Sequence, residues 1–339
     1  MPRYALPVCL AVLVVLVLLG AGSVVAQHPS LHKPPLALED RLREGLRKLD
    51  GWDLMQLLRT EREIDEQQKQ RARASTDPEE LALLSEDEDV GVRFAVAANP
   101  HTGTEVLMRL AGDPAAAVRA GVAMGVTQDL LAPPQVQERI RQMARQLAAD
   151  PQPLVRLALA GNPALEPETC DLVAQDADPV IRQKLAENPV VTEAVLRLLA
   201  GDSLAAVQRS ALLHRSAPAD VLEAWSTDPR PSVRLAVCQN PSTPPLVLEQ
   251  LAQDPDAAVR RAVAAHPATP VQALRRLARD SQIDIVVEVA RHPNADRDLL
   301  MDLSVDPRDA SVRVAAQAGL VPLLRAEIRE DVLERWESP

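Results

Sequence analysis

The chain repeats itself, and the period leaves few folds open. A Val-Arg pair, or a close variant, returns at Val92-Arg93, Val118-Arg119, Val155-Arg156, Ile181-Arg182, Val207-Gln208, Val233-Arg234, Val259-Arg260, Ile285-Val286 and Val312-Arg313. The first step is 26 residues, the next 37, then five of 26 and a last of 27. An Asp stands five residues before each Val or Ile from 92 to 285, at 87, 113, 150, 176, 202, 228, 254 and 280. Asp306 stands six before Val312. Self-similarity at such a period marks a stacked array of small units, each burying its apolar face against its neighbours.

Residues 254–280, DPDAAVRRAVAAHPATPVQALRRLARD, show the chemistry of one unit. Asp254 is expected as a helix N-cap, with Pro255 at the first helical position, where its missing N–H costs nothing. Val259, Ala262, Val263 and His266 fall on one face of a short helix. Pro267 drives His266 out of helical geometry and ends it. Thr269-Pro270 is expected to cap a second helix with an apolar face of Ala273, Leu274, Leu277 and Ala278. Neither helix exceeds about three turns, so neither is stable alone in water. Only 1% of residues are aromatic, so the core must come from Ala, Val and Leu. Small residues at Ala97, Ala160, Ala186 and Ala264 allow close helix approach.

The recurring pattern D-P-x-x-x-V-R-x-A-V-A-x-N-P-x-T-P-x-x-x-L-x-x-L-A-x-D resembles the leucine-rich repeat variant family, related in style to HEAT and armadillo arrays. Its clearest copy is DPRPSVRLAVCQNPSTPPLVLEQLAQD, residues 228–254. The resemblance implies an all-α fold: a right-handed α-solenoid of about nine 26-residue two-helix repeats with helical end caps. It implies little about activity, since such arrays serve varied binding roles.

The expected organisation has four parts. Residues 1–26 carry Arg3, an apolar run from Val8 to Leu19 and the small-residue site Val24-Val25-Ala26. That is the pattern of a secretory signal peptide, with an uncleaved membrane anchor as the competing reading. Residues 27–75 read as a helical N-terminal cap, with the charged stretch 65–75 as a spacer in the alternative. Residues 76–319 are the solenoid, interrupted by an insertion at 126–148 that is expected to protrude and to end in a helix over 135–148. Residues 320–339 read as a C-terminal capping helix. The least regular unit spans 202–228, with Gln208 in the Arg slot, His214-Arg215 in the Asn-Pro slot and Trp225 in a Leu slot.

Candidate chemistry is sparse. The formal net charge of −11 argues against nucleic acid as a partner. Cys170 and Cys238 fill core slots three repeats apart, too far for a bridge, and are read as buried, inert thiols. His214, His266 and His292 fill the slot held by Asn99, Asn162, Asn188 and Asn240. Residues one repeat apart are too distant to share a metal, so they are read as bonding turn backbone. The Arg and Asp columns suggest a structural ladder. No metal, cofactor or catalytic constellation is read, and the chain is expected not to be an enzyme. The reading is an exported scaffold, periplasmic or extracellular, that binds a protein or peptide partner. The alternative is a membrane-tethered structural or assembly component of the cell envelope, held through residues 1–26. The candidate contact residues are Arg261, Arg275, Arg276, Arg279 and Arg291, a local basic cluster in an acidic chain, together with Trp225.

Overall fold

The computed structural model describes residues 63, 65–125 and 133–337, with side chains up to 325. Among them there is no strand, and the array is an all-α solenoid. The described residues fall into two compact units, one up to Gly125 and one from residue 133 onward.

In the first unit, residues 65–74 are helical and precede Pro78–Leu84, Val90–Ala97, Thr104–Leu110 and Ala116–Gly125. Asn99 donates to the carbonyls of Ala72 and Ser75 at 2.7 and 2.9 Å, and Lys69 pairs with Asp89. The charged stretch therefore lies on the first repeat rather than standing off as a spacer. Phe94 is accommodated by Gly121, where a Cβ would come within 3.0 Å of the ring.

The second unit opens with Pro134–Ala148 and then alternates first and second helices, from Pro153–Ala160 and Pro167–Val173 to Ile283–Arg291 and Arg297–Ser304. First helices pack on the first helices of neighbouring repeats, and second helices fill a layer beside them. Val155, Leu159, Ile181, Leu185, Val207 and Leu212 form the seam between first helices. Leu196, Leu222, Leu248 and Leu274 do the same in the second layer. Cys170 and Cys238 are buried and free, and burial pushes their thiols up to about 11 and about 12.

Four expectations need correction. Asp254 is not an N-cap: the helix begins at Ala257, and Asp256 accepts from the Ala258 N–H. Asp254 instead accepts from the Asp256 N–H, closing a turn ahead of the helix. Thr269 does not cap the second helix; its hydroxyl donates back to the Val263 carbonyl at 2.6 Å. The insertion does not simply protrude. In Pro134–Ala148 the residues Ile140, Met143, Ala144 and Leu147 are buried, and the helix takes a second-helix place beside Pro153–Ala160. Only its first turns, through Arg139, lack buried side chains. Finally, no capping helix begins at 320. Ala310–Glu337 is continuous through Pro322, because Gly319-Leu320 replaces the Asn-Pro or His-Pro stop.

Candidate binding surface

Turns and helix ends meet along the two edges of the array, and the polar columns lie there. At one edge each column arginine joins two repeats. Arg156 Nε donates to Asp176 at 2.6 Å while its Nη1 donates to the Asp150 carbonyl at 2.6 Å. Arg182 does the same with Asp202 and Asp176, Arg234 with Asp254 and Asp228, and Arg260 with Asp280 and Asp254. In the first unit Arg93 joins Asp113 and Asp87. Each acceptor carboxylate also takes the N–H two residues on. The Arg182 hydrogen bond holds the Asp202 carboxyl below the usual carboxylate range against the opposing effect of burial. These groups are consumed in holding repeats together.

Two repeats lack the arginine, and both are repaired in the same way. Gln208 stands in the slot that faces Asp228, and Val286 in the slot that faces Asp306. Two residues after each of those aspartates the chain carries an arginine, Arg230 and Arg308, and no other ladder aspartate is followed by one at that distance. Arg230 pairs with Asp228 at 2.9 Å and donates to Gln208 Oε1 at 2.8 Å. Arg308 folds back onto Asp306 and donates to the carbonyls of Asp280 and Ala278. The arginine side chains hold both carboxyls below their ordinary range.

The opposite edge carries the Asn and His column. Asn188 donates to the Asn162 carbonyl, His214 to that of Asn188, Asn240 to His214, His266 to Asn240 and His292 to His266, at 2.7 to 3.2 Å. Nδ1 of each histidine accepts an N–H two residues on, from Ser216, Ala268 and Asn294. The proton of the neutral ring therefore sits on Nε2. His substitutes for Asn because both present an acceptor and a donor on one short planar group. Burial pushes the His214 imidazole below its ordinary pKa.

The basic cluster is largely neutralised. Arg261 pairs with Asp284 at 3.0 Å, Arg275 with Asp296 at 2.6 Å, Arg276 with Glu249 at 3.2 Å and Arg291 with Glu288 at 3.7 Å. Arg279 is exposed and forms no ion pair among the described residues. Arg261 and Arg291 belong to first helices, Arg275 and Arg276 to a second helix, and Arg279 to the turn after it. The five therefore do not form one free cationic face. Trp225 ends the helix Ala219–Trp225 half-buried. An open recess of about 420 Å³ lies between Ile283–Arg291 and the last helix, lined by Ala290, Arg291, Val314, Ala318 and Gly319 among others. Among the described residues no cluster of His, Cys, Asp and Glu could hold a metal.

A feature that was not singled out in the sequence separates buried from exposed columns. The buried position four residues from the end of each unit reads Val173, Leu199, Leu251, Leu277 and Leu303, with Trp225 as the exception. The exposed position beside it reads Leu172, Leu198, Ala224, Gln250, Arg276 and Asp302. The frame is constant and its surface is not.

The family model described as leucine rich repeat variant matches residues 90–115, 231–256 and 257–282. Among solved structures, a leucine-rich repeat variant with a novel repetitive structural motif is 22% identical, covering 63% of this chain and 80% of that one, with a TM-score of 0.47. An Escherichia coli protein is 16% identical over 74% and 94%, with a TM-score of 0.34. Computationally designed armadillo repeat proteins for modular peptide recognition give 14% identity over 80% and 93%, with a TM-score of 0.17. No curated protein matches. Three repeats of the array described above therefore match the leucine-rich repeat variant model.

Proposed function

We propose that this chain is an exported, non-enzymatic scaffold that binds a protein or peptide partner on the exposed columns of its repeats. The observation that carries the reading is the contrast between columns: ladder and core positions recur, while the exposed position running from Leu172 to Asp302 changes in every repeat but one. A fixed frame with a variable surface suits recognition by shape and side-chain pattern. The Arg, Asp, Asn and His groups that could serve chemistry are instead spent on bonds between repeats. Export rests on the signal pattern of residues 1–26.

The test places a photo-crosslinking residue at 250 and at 276, in two exposed column positions, in cells that make the full chain. Discrete protein adducts at these sites support the reading. Catalytic turnover of a small molecule by the purified chain would overturn it. Amino-terminal sequencing checks export: a mature chain starting at Gln27 supports it, and a chain found in the cytoplasm refutes it.

A further inference from the structure

The most informative unassigned surface is the ladder edge of the second unit, where second helices end and the next first helices begin. Over three successive repeats this edge is apolar. Leu154 and Val180 are the second residues of Pro153–Ala160 and Pro179–Ala186, and are 55% and 57% exposed. Leu172 and Leu198 lie near the ends of Pro167–Val173 and Glu193–Ala200, and are 47% and 53% exposed. Leu204, 45% exposed, precedes Ala205–Leu213. From Asp228 onward the corresponding positions hold polar or small residues, among them Arg230, Gln250, Asp256, Ala258, Arg276 and Asp284. Five half-exposed aliphatic side chains present on the order of 400 Å², the size of the largest apolar patch on an ordinary monomer, a patch that is often functional.

Charge at this edge selects the occupant. The ladder arginines here, Arg156 and Arg182, are committed to Asp176 and Asp202. Asp171 and Asp178 adjoin Leu172 and the start of the Val180 helix, and neither forms an ion pair among the described residues. An apolar edge with two carboxylates outside any ion pair, and its ladder arginines committed, complements a segment that is apolar and basic. Packed repeats advance about 10 Å, and a chain in the extended polyproline II conformation rises about 3.1 Å per residue with three residues per turn, so every third residue of such a segment points the same way and meets a new repeat.

We infer that the edge from Leu154 to Leu204 docks an extended segment of a partner protein with a Leu-type residue at every third position and Lys or Arg between. This rests on the scaffold reading above and names its partner chemistry.

The probe is the fluorescent peptide Leu-Lys-Lys-Leu-Lys-Lys-Leu, measured by anisotropy against the full chain. Two controls replace Lys by Glu and Leu by Gln. The expected result is saturable binding of the first peptide alone. Binding should weaken at least tenfold in Leu172→Ser/Leu198→Ser, while the helical circular dichroism of the folded chain is kept, since each side chain is only half-buried. Asp171→Asn/Asp178→Asn should flatten the salt dependence, and Asn keeps the cap at 178. Equal binding to the Ser variant, or to either control peptide, would overturn the inference. Self-association of the chain that disappears in the Ser variant would overturn it too, since a second copy would then be the occupant. A crosslinker at 198 that stays silent while one at 276 captures a partner refutes this surface and leaves the scaffold reading standing.

Discussion

Replacing Arg308 by Met should destabilise the last repeats, and adding Val286→Arg should restore them. Arg308 makes carboxylate bonds to Asp306 and donates to the carbonyls of Asp280 and Ala278. The Asp306 side chain is only 8% exposed, so without the guanidinium it keeps one backbone N–H, from residue 308, as its partner. Breaking a fully buried pair costs about 3–5 kcal/mol; with Arg308 itself 36% exposed and screened, about 2 kcal/mol is expected. Val286 occupies the column slot from which Arg260 reaches Asp280. An arginine there should reach Asp306 and the Asp280 carbonyl by the same geometry. With Arg308 in place it would instead crowd a second guanidinium onto one carboxylate and lose the burial of Val286. Val286→Arg should therefore destabilise the native chain and rescue Arg308→Met, a coupling of about 2 kcal/mol between the two sites. Repeat arrays unfold in segments, so the readout is amide hydrogen exchange across 297–316 rather than a global melting point. Additive effects of the two substitutions would refute the idea that Arg308 stands in for the missing column arginine.

Three other outcomes follow from the same structure. His214 is held neutral by burial, so the unfolded chain, titrating near 6.5, binds the proton more readily; its contribution is complete above that pH and is lost as pH falls below it. Urea midpoints at pH 7.5 and 5 should diverge less in His214→Asn than in the native chain. Cys170 and Cys238, with thiols at about 11 and about 12, should resist a thiol reagent at pH 8 until denaturant is added, and fast labelling of the native chain would refute their burial. Leu147→Ala should cost about 2–5 kcal/mol by amide hydrogen exchange across 140–160, while Gln135→Ala, in the exposed first turn of the same helix, should change stability by less than about 0.5 kcal/mol.

The array was legible because its columns are. Asp, Val-Arg, Asn-Pro and Leu-x-x-Leu-Ala recur together, and each holds a stacking surface or a bond between repeats. The role of Asp254 was not, since an Asp-Pro start suits a cap and a turn equally. The residue two places on decides it: Asp89, Asp178 and Asp256 cap the helix where they occur, while Gln152 and Gln282 form no cap bond. The Arg cluster misled because sequence shows charges and not partners. Asp296 lies 21 residues from Arg275 and Glu249 lies 27 from Arg276, yet both are within ion-pair reach across one repeat step. The insertion misled because a length difference says where residues are added and not which of them the core takes up.

The compensated ladder also decides where this gene can gain or lose repeats. Three excisions of equal length look interchangeable on the sequence and differ in chemistry. Removing 202–227 brings Arg182 to Asp228 beside Arg230, two guanidinium groups on one carboxylate. Removing 209–234 leaves Gln208 facing Asp254, with Asp256 where Arg230 had been and no cation for either. Removing 208–233 takes Gln208 and Arg230 out together and sets Arg234 against Asp254 as before. The inheritable module therefore runs from one column slot to the next and carries both the defect and its repair. A family of such chains should change length by recombination in that frame, and a shuffled library cut at the aspartates would scatter unmatched halves.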